Sequence, residues 1–152
     1  MHSDEDFVLL NVYAPCDIGS QIMLWETLST RLANYVGHLV CACGDFNVVR
    51  GPEERRSTGN MQKASCVASF NNFIDANDLV DLPLIGRRFT WYRGDGHSMS
   101  RIDRFLKSES WCSRWPNYLQ AAQLRGLSDH CGLILPADEQ NWGPCPFRML
   151  KC

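Results

Sequence analysis

The sequence predicts an α/β domain, because segments typical of buried strands alternate with segments typical of amphipathic helices. Two apolar runs, residues 7–13 and 38–43, have the composition of buried strands, and each is followed, directly or after a loop, by apolar residues at helical spacing. With 152 residues, 45% of them hydrophobic, the chain is large enough for one core. We therefore expect one domain over residues 1–136 and a linker or tail over residues 137–152.

The first half of the chain contains two predicted pairs of strand and helix. The first strand is rich in β-branched and aromatic residues and ends at Ala14-Pro15, and the helix after it ends at Gly37. The second strand is broken by Gly44 and is followed by a charged loop. The predicted elements are a strand at 7–13, a helix at 20–36, a strand at 38–43 and a helix at 65–77.

The second half is predicted to be mostly β-structure. Gly94-Asp95-Gly96 has the composition of a hairpin turn, and Ser108 is a suitable N-cap for a short helix. Two final strands flank a polar segment, 126–130. The predicted elements are strands at 88–92 and 100–106, a helix from 108 to 115, and strands at 118–124 and 131–135.

Charge and cysteine content exclude several classes of protein. The formal net charge of −2 provides no broad positive field, so a nucleic-acid partner would have to be bound by local arginine clusters or a metal ion. The acidic start lacks the apolar region of a signal peptide, and the eight cysteines form no C-x-x-C pair. Reduced thiols are therefore expected. No apolar stretch is long enough to span a bilayer, so we expect an intracellular protein with no membrane partner.

Polar residues follow three of the predicted strand ends: Tyr13, then Asp45 and Asn47, then Asp129 and His130. Strand ends at one edge of a sheet meet in space, and these residue types suit phosphodiester hydrolysis, which needs hard oxygen ligands, an oriented water and donors for developing charge. Each cluster alone also has a plainer explanation. Asp45 and Asn47 would form an Asx turn, Asp129 would cap a turn, and His130 would be a hydrogen-bonded core residue.

Four motifs in order along the chain favour the catalytic interpretation: Asn11-Val12-Tyr13-Ala14-Pro15, Gly44-Asp45-Phe46-Asn47, Ser100-Arg101-Ile102-Asp103-Arg104 and Ser128-Asp129-His130. From about residue 7 to residue 135 the chain resembles the endonuclease/exonuclease/phosphatase family, which includes DNase I-like and AP-endonuclease-like domains. Phe89-Thr90-Trp91 and Pro146-Phe147-Arg148 are similar to the branch found in plant LINE-type (non-LTR) retrotransposons, in which a reverse transcriptase follows the nuclease.

The resemblance implies a four-layer α/β sandwich, in which two mixed sheets pack face to face with helices outside. It also implies a Mg²⁺- or Mn²⁺-dependent hydrolase that nicks DNA in the nucleus. Asp45 would act on the attacking water, Asn47 would hold the phosphate or that water, and Tyr13 would contact a phosphate oxygen. His130 would stabilise charge on the phosphoryl group.

Two further roles are implied by the same resemblance. Asp103 would accept a hydrogen bond from a ring nitrogen of His130, and Asp129 would join Asp45 at the metal. The alternative for Asp103 is a surface ion-pair network with Arg101 and Arg104.

Arginine and aromatic side chains provide candidate contacts with nucleic acid. Arg55, Arg56 and Arg101, with Arg87-Arg88, are candidates for binding phosphates. Trp91 or Tyr92 would stack on a base, although a core position is the stronger expectation for Trp91. For the arginines, a solvated surface position is the alternative.

The family's first strands, which carry an Asn and the principal Glu metal ligand, have no counterpart here. Only residues 1–6 precede the Tyr-bearing strand, and Glu5 is a poor substitute for the Glu. The resemblance therefore implies an N-terminally truncated domain with an exposed sheet edge, a weakened metal site and impaired activity. Two alternatives stay open: another phosphoesterase of the same superfamily, and a catalytically dead remnant that binds nucleic acid or protein.

Overall fold

The computed structural model describes residues 6–57, 62–94 and 96–136, and within them it has a mixed α/β architecture. The three helices are α1 (Ile18–Leu32), α2 (Ala64–Ala76) and α3 (Glu109–Arg114), and short 3-10 turns lie at Ala33–Tyr35 and Pro52–Glu54. The strands are β1 (Phe7–Tyr13), β2 (Leu39–Asp45), β3 (Arg55–Arg56), β4 (Leu79–Asp81), β5 (Leu84–Ile85), β6 (Trp91–Tyr92), β7 (Met99–Ser100), β8 (Asp103–Ser108), β9 (Gln120–Ala122) and β10 (Leu133–Ile134).

The strands form three hydrogen-bonded sheets, with orders β1-β2-β8-β4, β10-β9-β5 and β3-β7-β6. In the first sheet β1 runs parallel to β2, with Tyr13 opposite Asp45. The next strand, β8, runs antiparallel to β2, with Asp103 opposite Asp45. This register brings three predicted site residues to one edge of the sheet.

One face of the four-stranded sheet packs against α1 and α2. The core there is aromatic, with the Trp25 ring 5.2 Å from the rings of Phe70 and Phe73 and stacked on Phe46 at 6.1 Å. Alternate residues of β1 face this core, as a strand's two-residue period requires, and the residues between them point to the opposite face. The core therefore anchors the two strands, β1 and β2, that end at the site.

Several predicted elements are confirmed in type and position. The first strand has the predicted bounds, and the turn near Gly94 joins β6 to β7, with Trp91 opposite Ser100. Helix α1 begins earlier than predicted because Asp17 is its N-cap, accepting a hydrogen bond from Ser20 N at 2.9 Å. Ser108 caps α3 as predicted, through a 3.2 Å bond from Trp111 N.

Other predictions needed correction. The expected strand at 100–106 is divided between two sheets, β7 in the hairpin and β8 in the four-stranded sheet. The last two strands are shorter than predicted, and β3, β4 and β5 were missed because two or three residues cannot display a period. The predicted tail, 137–152, lies outside the described residues.

The structure defines the state of the cysteines and the length of the helices in the described part of the chain. Its six cysteines, Cys16, Cys41, Cys43, Cys66, Cys112 and Cys131, are free thiols. None of the helices in these residues has both the length and the apolar character needed to cross a bilayer.

Candidate active site

Asp45 and Asp103 lie side by side, because Asp45 is the last residue of β2 and Asp103 is the first residue of the adjacent antiparallel strand β8. The approach of β2 to β1 depends on Gly44, whose φ is +133°. A Cβ at Gly44 would overlap the Val12 carbonyl, so only glycine fits this position. The Gly-Asp pair of the motif therefore has a structural basis: the glycine allows the close strand contact that places the carboxylate.

A turn at the end of β2 connects Asp45 with the end of β1. Asn47 N donates to Asp45 Oδ1 at 2.8 Å, which is the Asx turn that the sequence allowed, and Asn47 adopts a φ of +52°. Asn47 Nδ2 donates to Ala14 O at 2.7 Å, and Ala14 N donates to Asp45 O at 2.8 Å. The amide of Asn47 therefore braces the strand ends, and its predicted contact with phosphate stays a prediction.

His130 faces Asp103. Its Nδ1 lies 3.0 Å from Asp103 Oδ2 and 3.2 Å from Oδ1, and the two side chains are 33% and 16% exposed. This is the contact implied by the family resemblance. The alternative, a surface network of Asp103 with Arg101 and Arg104, does not occur, because both arginines bind Glu54 and Asp81 instead.

The three side chains Asp45, Asp103 and His130 form one cluster, with a potential ligand atom of each within 4.8 Å of the others. Two members of the cluster, Asp103 and His130, line a cavity of about 480 Å³ together with Cys43. Burial raises the pKa of the Asp45 carboxyl, and the charge of Asp103 adds to the rise, while the hydrogen bond from Asn47 N opposes it.

Two half-buried carboxylates near one imidazole fit a hard divalent cation such as Mg²⁺ or Mn²⁺. Carboxylate oxygens are the ligands these ions prefer, and a cation would offset the repulsion between the charges of Asp45 and Asp103. Asp45 and Asp103 would supply oxygens, whereas the Nδ1 atom of His130 is engaged with Asp103.

The other predicted site residues lie around this cluster. The Tyr13 side chain is 83% exposed at the end of β1. Asp129 is exposed, lies outside the cluster and accepts a 2.9 Å hydrogen bond from Trp91 Nε1, which lowers the pKa of its carboxyl. Asp129 therefore lies outside the cluster, although its charge adds to the rise in the pKa of the Asp45 carboxyl, and its predicted role at the metal stays a prediction. The expectation that Trp91 lies in the core is corrected. Trp91 is half-buried and pairs through its main chain with His130, in the loop that also carries Asp129.

The predicted phosphate contacts divide into two groups. Arg101 is only 12% exposed, and its guanidinium binds Asp81 Oδ1 at 2.7 Å and Glu54 Oε1 at 3.3 Å. Its predicted contact with nucleic acid is corrected, because these buried carboxylates already bind it.

The other arginines lie nearer the surface. Arg88 donates twice to the Glu53 carbonyl. Arg55 and Arg56 form β3 at the edge of the hairpin sheet, where Arg56 is exposed and Arg55 half-buried.

Sequence reasoning missed the buried network around Arg104. Arg104 is fully buried, binds Asp81 Oδ2 at 2.6 Å and binds Glu54 with both terminal nitrogens, while Arg101 joins the same two carboxylates. The Arg-Ile-Asp-Arg motif contained a signal for this network. Asp103 and Arg104 are adjacent in β8, so their side chains must point to opposite faces of the sheet and cannot both line the site. Asp103 therefore faces the site and Arg104 faces the helical layer.

The fold is similar to solved structures that include a bacterial toxin and a catalytic domain from Xenopus laevis. The chain matches the crystal structure of beta toxin 275-280 from Staphylococcus aureus with a TM-score of 0.56 and 12% identity, over 86% of this chain and 53% of that one. It matches the catalytic domain of APE2 from Xenopus laevis with a TM-score of 0.53 and 16% identity, over 87% and 52% of the two chains. The chain thus spans about half the length of these structures. No protein-family model and no curated protein matches the sequence.

Proposed function

We propose that the chain carries the catalytic centre of a metal-dependent phosphodiesterase, a DNA-nicking endonuclease of the endonuclease/exonuclease/phosphatase family in its plant LINE-type branch. The observation that carries the proposal is the cluster of Asp45, Asp103 and His130 at the ends of adjacent strands. Four ordered sequence motifs and a fold similar to that of the APE2 catalytic domain support it.

The roles of the residues follow from this geometry. Asp45 orients the attacking water and accepts its proton, a role suited to a carboxylate whose pKa is raised by burial. Asp103 holds the Nδ1–H of His130, which fixes the ring and leaves Nε2 for the phosphoryl oxygen. A bound Mg²⁺ or Mn²⁺ would neutralise charge on the phosphate. Tyr13 contributes a hydroxyl to a phosphate oxygen at the same sheet edge.

The proposal extends to the architecture and the setting of the chain. The three sheets and their helices correspond to part of a four-layer sandwich whose N-terminal strands, with the principal Glu ligand, belong beside β1. The free edge of β1 within the described residues and the half-length match to both solved structures support this. DNA is then the substrate, a reverse transcriptase is the neighbouring domain of the parent polyprotein, and the nucleus is the site of action.

Relaxation of supercoiled plasmid tests the proposal. The chain is compared with a version preceded by a family-like N-terminal segment that restores the Asn and Glu strands, in Mg²⁺, Mn²⁺ and EDTA. We expect efficient, metal-dependent nicking by the restored protein only, because loss of an anionic ligand weakens capture of the metal. Equal nicking by the 152-residue chain would show that another residue supplies the ligand.

Variants of the restored protein test the cluster itself. Asp45→Asn and His130→Gln should each reduce nicking about 100-fold or more, on the scale of losing a general base or a group that stabilises the transition state. Asp75→Asn, an exposed carboxylate on α2, is the matched control and should be neutral. Nicking that survives both cluster substitutions would remove the cluster from the reaction.

A second candidate is another phosphoester substrate, favoured by the equally good match to beta toxin 275-280. The restored protein is therefore assayed on plasmid, phosphoinositide vesicles, sphingomyelin vesicles and polyadenylated RNA. Cleavage of a lipid or of RNA in preference to plasmid would replace the DNA assignment and keep the reaction type.

A catalytically dead remnant that binds nucleic acid or protein is the other alternative. Calorimetric titration with Mg²⁺ distinguishes it, because a pure binding remnant takes up no metal that depends on Asp45.

A further inference from the structure

Thr90 connects the two segments that carry Asp103 and His130. It is fully buried directly before β6, and its Oγ1 accepts hydrogen bonds from Ile102 N and Asp103 N, both at 3.0 Å. Its carbonyl accepts a hydrogen bond from Cys131 N at 2.7 Å. One residue thus bonds to the main chain at Asp103 and directly beside His130.

The hydroxyl is required by the path of the chain between two sheets. β7 belongs to the hairpin sheet and β8 to the four-stranded sheet, so the chain crosses between them at residues 101–102. At this crossing Thr90 Oγ1 acts in place of a strand carbonyl and accepts hydrogen bonds from two main-chain amides. The hydroxyl hydrogen points to Ser100 O, which lies 3.5 Å from Oγ1. A hydroxyl can accept two hydrogen bonds and donate one, whereas an isosteric valine would leave the amides of Ile102 and Asp103 without this acceptor.

The His130 segment is held by the same strand. Trp91, next to Thr90, forms an antiparallel bridge with His130, and Tyr92 N donates to Asp129 O at 2.9 Å. The separation of Asp103 from His130 therefore depends on one short strand. Since a hydrogen bond of 3.0 Å is lost with a displacement of about 1 Å, small shifts at this strand matter.

We propose that Thr90 is a positioning residue, whose hydroxyl sets Asp103 at hydrogen-bonding distance from the Nδ1 atom of His130. Thr90 touches neither substrate nor metal and acts through Asp103. The consequence for catalysis rests on the proposed function, but the positioning itself is a property of the chain and has a test that needs no activity.

The test compares Thr90→Val with Thr90→Ser in the full chain. Imidazole ¹⁵N and ¹H NMR spectra, recorded without metal, report the protonated Nδ1 of His130 and its hydrogen-bonded proton. Wild type and Thr90→Ser should show this proton as a slowly exchanging downfield signal, and Thr90→Val should lose it. Thr27→Val is the matched control, because Thr27 Oγ1 donates to a carbonyl within the exposed face of α1.

Catalysis gives a second readout in the restored protein. Thr90→Val should lower kcat for plasmid nicking about 100-fold, the scale of a 1 Å misplacement, with KM nearly unchanged, and Thr90→Ser should recover it. If nicking is absent even in wild type while the His130 signal behaves as expected, the proposed function fails and the positioning role stands.

Two results would overturn the proposal. One is a Thr90→Val protein that keeps the wild-type His130 signal. The other is rapid solvent exchange of the Ile102 and Asp103 amides in the unmodified chain, which would show that Thr90 does not hold them. If Thr90→Val does not fold, Thr90→Cys, whose thiol fills the site but is only a weak acceptor, takes its place under the same criterion.

Discussion

At the scale of single residues, Asp45 combines an unfavourable environment with a proposed catalytic role. Its carboxylate is partly buried beside the negative charge of Asp103, and the pKa of Asp45 lies above its ordinary value of 3.8 for these reasons. A charged group whose folded pKa is raised costs stability at neutral pH. Such a cost is typical of sites where function, rather than stability, selects the residue.

Asp45→Asn should therefore stabilise the metal-free protein. Asparagine keeps an oxygen for the hydrogen bond from Asn47 N but carries no charge, so we expect the free energy of unfolding at pH 7 to rise by roughly 0.5–2 kcal/mol. Because the folded pKa is raised, the gain should shrink as the pH falls through that pKa and vanish below about 3.8. Thermal unfolding from pH 3 to pH 8 measures this.

Asp75→Asn is the control for this measurement, since it removes an exposed carboxylate from α2. A destabilised Asp45→Asn protein at pH 7 would contradict the account of the site as strained by its own charges.

At the scale of elements, a buried ion-pair network joins the turn Pro52–Glu54 to β4 and β8. Glu54 and Asp81 bind Arg101 and Arg104, and Arg104 is fully buried. Burial alone would raise the pKa of Glu54, but the hydrogen bond and charge of Arg104 outweigh it, so the pKa is lowered. The network fixes the strand, β8, that begins with Asp103.

Glu54→Gln should destabilise the protein at pH 7 by about 1–3 kcal/mol, since a charge-assisted bond to a buried guanidinium becomes a neutral one. A lowered folded pKa means that the contribution of Glu54 is fully present above about 4.5 and is lost as the pH falls through the folded pKa. The stability difference from wild type should therefore narrow in acid, which urea unfolding at several pH values measures.

Glu53→Gln is the matched control, because Glu53 lies in the same turn and is exposed. A Glu53→Gln protein as unstable as Glu54→Gln would assign the effect to the turn and not to the network.

At the scale of the whole molecule, β1 is an edge strand with no further strand paired to it among the described residues. It ends the four-stranded sheet, and on the face away from the helical core Phe7 and Leu9 are 54% and 55% exposed. Edge strands with exposed apolar side chains pair readily with other strands. The proposed N-terminal strands would lie beside this edge and cover this surface.

Leu9→Lys should reduce self-association of the 152-residue chain. A lysine on the outer face of β1 adds charge at the free edge, and the core face of the strand is unchanged. Analytical ultracentrifugation should show a shift towards monomer, with the melting temperature nearly unchanged.

Met23→Lys, at an exposed apolar residue of α1 without a free sheet edge, is the control and should leave association as in wild type. Equal effects of both substitutions would mean that general surface hydrophobicity, and not the edge of β1, drives association.

Local patterns in the sequence determined the strands that end at the site, the two long helices, the hairpin and the residue types gathered there. These features depend on neighbours a few residues apart, such as the apolar run of β1 or the helical spacing around Phe70, and so they are visible in one chain. The motifs placed Asp45, Asp103 and His130 in a common site. They did not distinguish a residue that would bind metal or phosphate from one that makes structural hydrogen bonds, as Asn47 does.

Only the tertiary structure decided which polar groups meet. Arg101 was assigned to phosphate but binds Asp81 and Glu54, and Thr90 bonds to amides 12 and 13 residues away. The physical reason is that hydrogen bonds and ion pairs are satisfied by whichever partner the register of distant strands brings within about 3 Å. Composition and spacing indicate that a polar side chain needs a hydrogen-bond or ion-pair partner, and the packing of the sheets determines which residue that partner is.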